Sequence, residues 1–436
     1  MTQTASKRPF GLTSAIALVV ANMLGAGVFT TSGFSLADLG SRSTVMLAWL
    51  IGAAIALCGA ISYGGLVRHM TASGGEYLFL SRVVHPGAGF LAGWVSLLAG
   101  FTGAIAFAAT VFETYALPAE LRPAWLPEGA IGVLSIVLCA CAHGLVLRYG
   151  VRMQNVVVAL KLGFLLVFIG YALTQLGSAS WPGLEASVTT TGTATISVFA
   201  MSLVWISLSY SGFNAAVYIA GEIDDAPRTA PRALWIGTLV VSALYLVLNA
   251  IFLYAPLPGS VAGRPDVAIA AVETLGGERL VLLLRMIIAL ALLSSVSSMI
   301  VIGPRVYARM ARDGVFPKFF DFADGSEGAH PPRTSIALQA GLAIIVLLAS
   351  GLATLLSYLG LMLSLSAAAT VACLFLVRRR EGAEAVRGIG YPWIPGIFVI
   401  ATVGLGLLAA SQRPHEWIAA VLTVLTGGIA YLLFRR

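Results

Sequence analysis

Apolar runs of about 20 residues, each closed by charged or turn-forming residues, recur along the whole chain. A helix of that length crosses a hydrocarbon core of about 30 Å at about 1.5 Å per residue. The pattern therefore predicts an all-α integral membrane protein with twelve transmembrane helices. The expected spans are 12–34, 44–67, 89–115, 129–147, 155–176, 195–220, 233–255, 280–307, 334–350, 352–377, 391–411 and 417–434. The connections between them are short, so 1–436 reads as one transmembrane domain, and only Gly351 separates the ninth span from the tenth.

Two spans depart from a smooth apolar pattern. The first contains ANMLGAGVFTTSG, residues 21–33, with Gly25 and Gly27 near its middle. Glycine costs about 1 kcal/mol relative to alanine inside a helix and frees the backbone to leave helical geometry. The sixth contains WISLSYSGFNAAVYIAGEI, residues 205–223, where Ser207, Ser209, Tyr210, Ser211, Gly212 and Asn214 crowd together. Non-helical backbone at membrane depth persists only where protein or a water-filled cavity satisfies its polar groups. Interruptions five spans apart are what an inverted repeat of five helices produces, with the two broken helices meeting near the bilayer centre.

Such breaks form a binding place from backbone alone. The N–H groups of Ala26, Gly27 and Val28, within a stretch that includes Asn22 and Gly25, would face an anion such as a carboxylate at a half-helix N-terminus. Carbonyls at Met23, Leu208, Ser209 and Ser211 would accept from a cationic amine. Glycines also serve close helix packing, and Asn214 suits an interhelical hydrogen bond as well as a substrate contact. The pairing of the two breaks favours a small zwitterion.

Composition and charge narrow the class. The chain is 58% hydrophobic and 10% charged, with a mean hydropathy of +0.92, against about 25% charged residues in soluble domains. Of its 26 Lys and Arg, nineteen fall on the side of the N-terminus, six on the other, and Lys161 within a span. That bias predicts both termini in the cytoplasm, in the plasma (inner) membrane. The net charge of +7 then reflects this bias and anionic lipid, with no nucleic-acid partner. The run from Leu12 is too long for a secretory signal peptide. Cys58, Cys139, Cys141 and Cys373 all lie in spans and are expected as free thiols. Cys139, Cys141 and His143 alternate around a helix and make no metal site, GAGVF opens no phosphate loop, and no cofactor is expected.

Charges inside the membrane are costly and mark function or pairing. Lys161 lies ten residues beyond Val151, about 15 Å into its span and too deep for its stem to reach the interface. It is a candidate proton carrier or a fixed substitute for a bound sodium ion. Glu113 and Arg285 sit at similar depth on the outer side and are expected to pair with each other.

The order of these motifs resembles a known family, the amino acid, polyamine and organocation transporters, and within it the sodium-independent L-type amino acid transporters and their bacterial relatives. The likeness rests on NMLGAGVF, on SGGEYLFLSRVVHPGAGFLAGW from Ser73 to Trp94, and on Lys161. It rests also on SYSGFNAAVYIAGEIDDAPRTAPRA from Ser209 to Ala233 and SSVSSMIVIGPRVYARMARDGVFP over 294–317. The resemblance implies a LeuT-like fold with discontinuous helices 1 and 6. Its repeats would cover about 12–176 and 195–377, followed by two appended helices over about 391–434. It also implies that the lysine matching Lys161 stands where other members bind sodium, beside serines of span 8, here Ser294, Ser295, Ser297 and Ser298. Several members carry an aromatic gate where this chain has Leu208, which leaves Phe107, Trp205 and Phe213 as gate candidates. Ala26 replaces a frequent serine.

The expected function is sodium-independent secondary transport of small or medium neutral L-amino acids by alternating access, as an exchanger or with proton coupling. A cationic amino acid or polyamine carrier is the alternative within the fold; it is disfavoured because the sixth-span break holds no acidic residue to pair a buried ammonium. A channel would need a ring of filter groups, a membrane enzyme a paired carboxylate or His/Asp site, and neither pattern is present. An amino acid sensor has the same sequence pattern as a carrier, and nothing in the chain specifies an oligomeric state.

Overall fold

The computed structural model describes residues 10–117, 121–145, 151–175, 181, 195–320, 333–386 and 390–434. Lys7, Arg8, Arg148, Arg387, Arg435 and Arg436, which enter the charge bias, lie outside the described residues. The described residues are helical or irregular; a single parallel bridge joins Phe10 to Ile223 and ties the start of the first span to the end of the sixth.

The first span is two helices, α1 (Leu12–Met23) and α2 (Thr31–Leu39), followed by α3 (Arg42–His69). A short helix between spans, α4 (Gly75–Val83), precedes α5 (Pro86–Val95) and α6 (Ala104–Ala116). Next come α7 (Ala130–Leu145), α8 (Val151–Thr174), α9 (Ile196–Tyr210), α10 (Ala215–Tyr218) and α11 (Ala226–Tyr254). The rest comprises α12 (Val267–Arg312), α13 (Arg333–Ala349), α14 (Leu352–Glu381), α15 (Trp393–Ala409) and α16 (Pro414–Phe434). Among the described residues, six helices are long and apolar enough to cross a membrane. Gly351, extended at φ −75° and ψ 159°, separates α13 from α14.

Large apolar side chains such as Leu50, Val167, Leu282, Ile400 and Leu432 face outward, where lipid solvates them. Small residues mediate the helix contacts, as membrane packing without a hydrophobic drive requires. A Cβ on Gly52 would lie 2.7 Å from Ile206, one on Gly237 2.7 Å from Val19, and one on Gly360 2.3 Å from the Val204 carbonyl.

Two elements differ from the sequence expectation. The third span is not one continuous α-helix: Ser96–Gly103 winds as a π-helix between α5 and α6. A Cβ at Gly103 would lie 2.4 Å from Leu359, so the wide turn brings this backbone close against α14. The helix of the eighth span begins at Val267, well before residue 280, because polar Glu273 and Glu278 continue the helix beyond its apolar part.

The expected Glu113–Arg285 ion pair does not form. Glu113 instead takes Arg122 and accepts from the backbone N–H groups of Gly129 and Gly132, both at 2.9 Å. The start of α7 thus supplies free amides and a favourable dipole to the carboxylate, while one guanidinium nitrogen of Arg285 is buried without a hydrogen-bond partner among the described residues.

Candidate functional site

The first interruption begins where α1 ends at Met23. Leu24 turns the chain at φ −71° and ψ 70°, and the Gly25 N–H closes a tight turn onto the Met23 carbonyl at 2.7 Å. A single 3-10 turn over Gly27–Phe29 then leads into α2. Among the described residues, the N–H groups of Ala26, Gly27 and Val28 have no hydrogen-bond acceptor. Each is buried, and unmade bonds at buried amides cost about 1–3 kcal/mol apiece.

The carbonyls of this break are taken up by side chains from neighbouring helices. Lys161, 6% exposed on α8, donates its ammonium to the Leu24 carbonyl. Tyr245 on α11 places its hydroxyl between the Met23 carbonyl and the Ser209 carbonyl, 3.1 Å from the latter, so the donor can serve either break. One turn further along α11, Asn249 receives the Ser32 hydroxyl, which itself accepts from Trp49 Nε1 at 2.9 Å. Sequence reasoning assigned no role to Tyr245 or Asn249. Their signal was present as an i, i+4 polar pair inside an apolar run, the spacing that puts both on one helix face.

The second interruption follows Tyr210. Ser211 turns away at ψ 153°, and Gly212 adopts φ +93°, a left-handed conformation that favours glycine. A side chain there would also meet the Asn22 carbonyl at 2.8 Å. The two breaks touch: a Cβ on Gly27 would lie 2.4 Å from Ser209 Oγ and 2.8 Å from Ser209 Cα. Beside this contact, Thr31 Oγ1 and Ser209 Oγ share a hydrogen bond of 3.1 Å.

A cavity of about 180 Å³ opens on the second break. Asn22, Ser207, Ser211, Phe213 and Asn214 line it, together with Ser96 and Phe101 of the π-helix and Glu76 of α4. Gly25, Ala26, Gly27 and Val28 are not part of its wall; the Gly27–Ser209 contact stands between them and the second break. The Leu208 carbonyl is already used by the N–H and hydroxyl of Ser211, at 3.0 and 2.6 Å. Asn22 turns its amide back onto Leu18 at 2.9 Å.

The gate and coupling candidates separate in the same way. Phe213 lines the cavity, edge-on to Tyr63 and Phe398 at 5.4 and 6.2 Å. Trp205 is buried away from it, bonded through Nε1 to Ser357 at 2.8 Å and packed on Phe34. Phe107 is buried in the core, and the aromatic that this span contributes to the cavity is Phe101, on the π-helix. Ser294 and Ser298 donate to carbonyls of their own helix at 2.7 and 2.9 Å, while Ser297 pairs with His143 at 2.6 Å. The hydrogen bond of Lys161 runs to Leu24, not to these serines.

Glu76 changes the picture of the cavity. The sixth-span break holds no acid of its own, but Glu76, 5% exposed, reaches it from α4 and accepts from Asn214 Nδ2 at 3.0 Å. The two glycines before it make this reach possible, with φ +145° at Gly74 and +59° at Gly75, where a Cβ would strike the Tyr218 ring at 2.3 Å. The motif SGGEY carried that signal, as a carboxylate directly after two adjacent glycines.

Comparison with known proteins agrees with this architecture. A family model described as amino acid permease matches residues 10–431. The human large neutral amino acids transporter small subunit 2 is 24% identical, over 86% of this chain and 71% of that protein. The human Asc-type amino acid transporter 1 is 25% identical, over 87% and 73%. The mouse b(0,+)-type amino acid transporter 1 is 25% identical, over 99% and 88%. A family match over nearly the full length, on a helical membrane chain whose first and sixth spans break against each other, identifies the chain as a member of the amino acid permease family, within the amino acid, polyamine and organocation superfamily.

Proposed function

We propose that this chain is a sodium-independent secondary transporter of small or medium neutral L-amino acids, working by alternating access as an exchanger or proton-coupled carrier. Its twelve spans would form two inverted five-helix repeats, 12–176 and 195–377, with 391–434 appended. It would lie in the plasma (inner) membrane with both termini cytoplasmic. The relatives' names specify amino acid transport, and this reading extends that activity to the present chain.

The observation that carries the reading is the meeting of the two breaks, with three amides left unpaired on one side of the Gly27–Ser209 contact. A substrate carboxylate would take the amides of Ala26, Gly27 and Val28, where the α2 half-helix presents its positive end. The amine would take the Met23 and Ser209 carbonyls, displacing the Tyr245 hydroxyl from one of them. Because Gly27 and Ser209 are in contact, binding requires the two half-helices to part, and that motion couples occupancy to the change of access.

Lys161 supports sodium independence. Its ammonium already occupies a carbonyl of the first break, and a cation fixed there opposes a second one by like-charge repulsion. The apolar wall of the cavity, from Phe101, Phe213 and Phe398, favours a neutral side chain.

Counterflow of labelled amino acids in proteoliposomes tests the proposal. Saturable uptake of neutral L-amino acids, equal in sodium and in choline buffers, is the expected result. No saturable uptake across a panel of neutral and cationic amino acids would sink it.

A further inference from the structure

We propose that Glu76 is a proton-operated latch on the second break, holding the α9–α10 interruption closed when ionised and loosening it when protonated. This rests on the transport reading above and adds a residue and a ligand, the proton, to the same site.

The geometry is that of a shared acceptor. Glu76 Oε1 takes the Tyr63 hydroxyl at 2.6 Å and Asn214 Nδ2 at 3.0 Å, and Oε2 takes the Ser366 hydroxyl. These donors come from α3, from the break itself and from α14, so one carboxylate ties α4 to three separate elements. Hydrogen bonds to an ionised acceptor are about twice as strong as neutral ones. Tyr63 and Ser366 carry hydroxyls that can turn and accept from a carboxylic acid, whereas the Asn214 amide nitrogen can only donate. A proton on Oε2 would be absorbed by Ser366 turning round. The Asn214 tether would then run to a neutral carbonyl and weaken, and Asn214 is the partner that belongs to the break.

Among the described residues, no cation is paired with this carboxylate. On α3 it faces Tyr63, and on α10 it faces Tyr218, both uncharged phenols. The ten residues of α5 contain nothing titratable. On α14, Arg380 donates its guanidinium to the Val83 carbonyl at the opposite end of α4 at 2.6 Å. On α4 itself Tyr77 is engaged with Asp313 at 2.8 Å, and Arg82 lies in the last turn. Burial pushes the Glu76 carboxyl above its ordinary value of 4.5, and the bonds from Ser366, Tyr63 and Asn214 pull it part of the way back. A substrate ammonium would have to displace one of three donors from this acid, whereas a proton needs no added space.

Counterflow at equal pH on both faces, measured from pH 8 to pH 5, tests the latch. Wild type should speed up about tenfold toward acid as Glu76 is neutralised. Glu76→Gln, neutral at every pH, should be fast and vary by less than about twofold. Ser366→Ala removes a donor to the anion, so its midpoint should move to higher pH by about one unit. A wild-type rate flat across this range, or a Glu76→Gln curve that follows wild type, overturns the latch while leaving transport standing. If Glu76→Gln does not yield folded protein, an unshifted Ser366→Ala midpoint overturns it. Absence of any wild-type counterflow refutes the transport reading instead.

Discussion

The two breaks are chemically unlike. The first, over 24–30, is surrounded by donors: Lys161 and Tyr245 fill its carbonyls, and its own amides at Ala26, Gly27 and Val28 stay open. The second, over 211–214, opens on a cavity and is tied by Asn214 to a buried carboxylate, Glu76. One interruption is poised for an anion and the other is held by one. A zwitterion bridging them would satisfy the first with its carboxylate, and its amine would compete with Tyr245 for the carbonyls between them.

Removing the cation should break this comparison most severely. Lys161→Ala leaves the Leu24 carbonyl without its charged donor, and hydrogen bonds to charged groups are worth about 1.5–3 kcal/mol. Transport should fall about 10- to 100-fold, read as initial counterflow rate per folded protein; a rate within twofold of wild type would show that the lysine has no part in the cycle. Gly27→Val should come next. Its side chain would meet Ser209 Cα and Cβ at under 3 Å, an overpacking worth about 1–3 kcal/mol that forces the breaks apart and covers the amides. Loss of substrate-induced thermal stabilisation is the expected signature, and retained affinity would contradict backbone capture.

Tyr245→Phe sharpens the comparison more gently. It deletes the hydroxyl shared by the two breaks and should lower the rate by about 5- to 10-fold. Glu113→Gln lies outside both breaks and serves as the contrast. It weakens the grip on Arg122 and on the start of α7, so melting temperature should fall while the substrate affinity of the folded protein stays the same. An affinity loss in this variant equal to that of Gly27→Val would mean the breaks are not special.

The apolar runs and the glycines at 25, 27 and 212 made the helices and both interruptions legible in the sequence, because backbone hydrogen bonding in lipid leaves few alternatives. Lys161 stood out for the same reason, as a charge too deep to escape. What fills the breaks was legible only as residue types, an i, i+4 Tyr–Asn pair and a carboxylate after two glycines, and not as contacts. Tyr245 reaches them from α11, 222 residues from Met23 in sequence, and Glu76 comes from a short helix between spans that no hydrophobic period announces. The Glu113–Arg285 pairing failed because depth was matched along the membrane normal without regard to which helix start was nearer, and α7 offered amides as well as Arg122. Phe107, the gate candidate of the third span, is buried in the core, and the aromatic of that span that lines the cavity is Phe101, on the π-helix Ser96–Gly103 that no sequence pattern announces.

Equilibrium binding of a neutral L-amino acid, compared with its methyl ester and with the acid lacking the amine, probes the paired breaks most directly. Backbone capture predicts that each single deletion of charge weakens binding by about 100-fold, since each leaves one set of buried peptide groups unmatched. An ester that binds as tightly as the parent amino acid would contradict it.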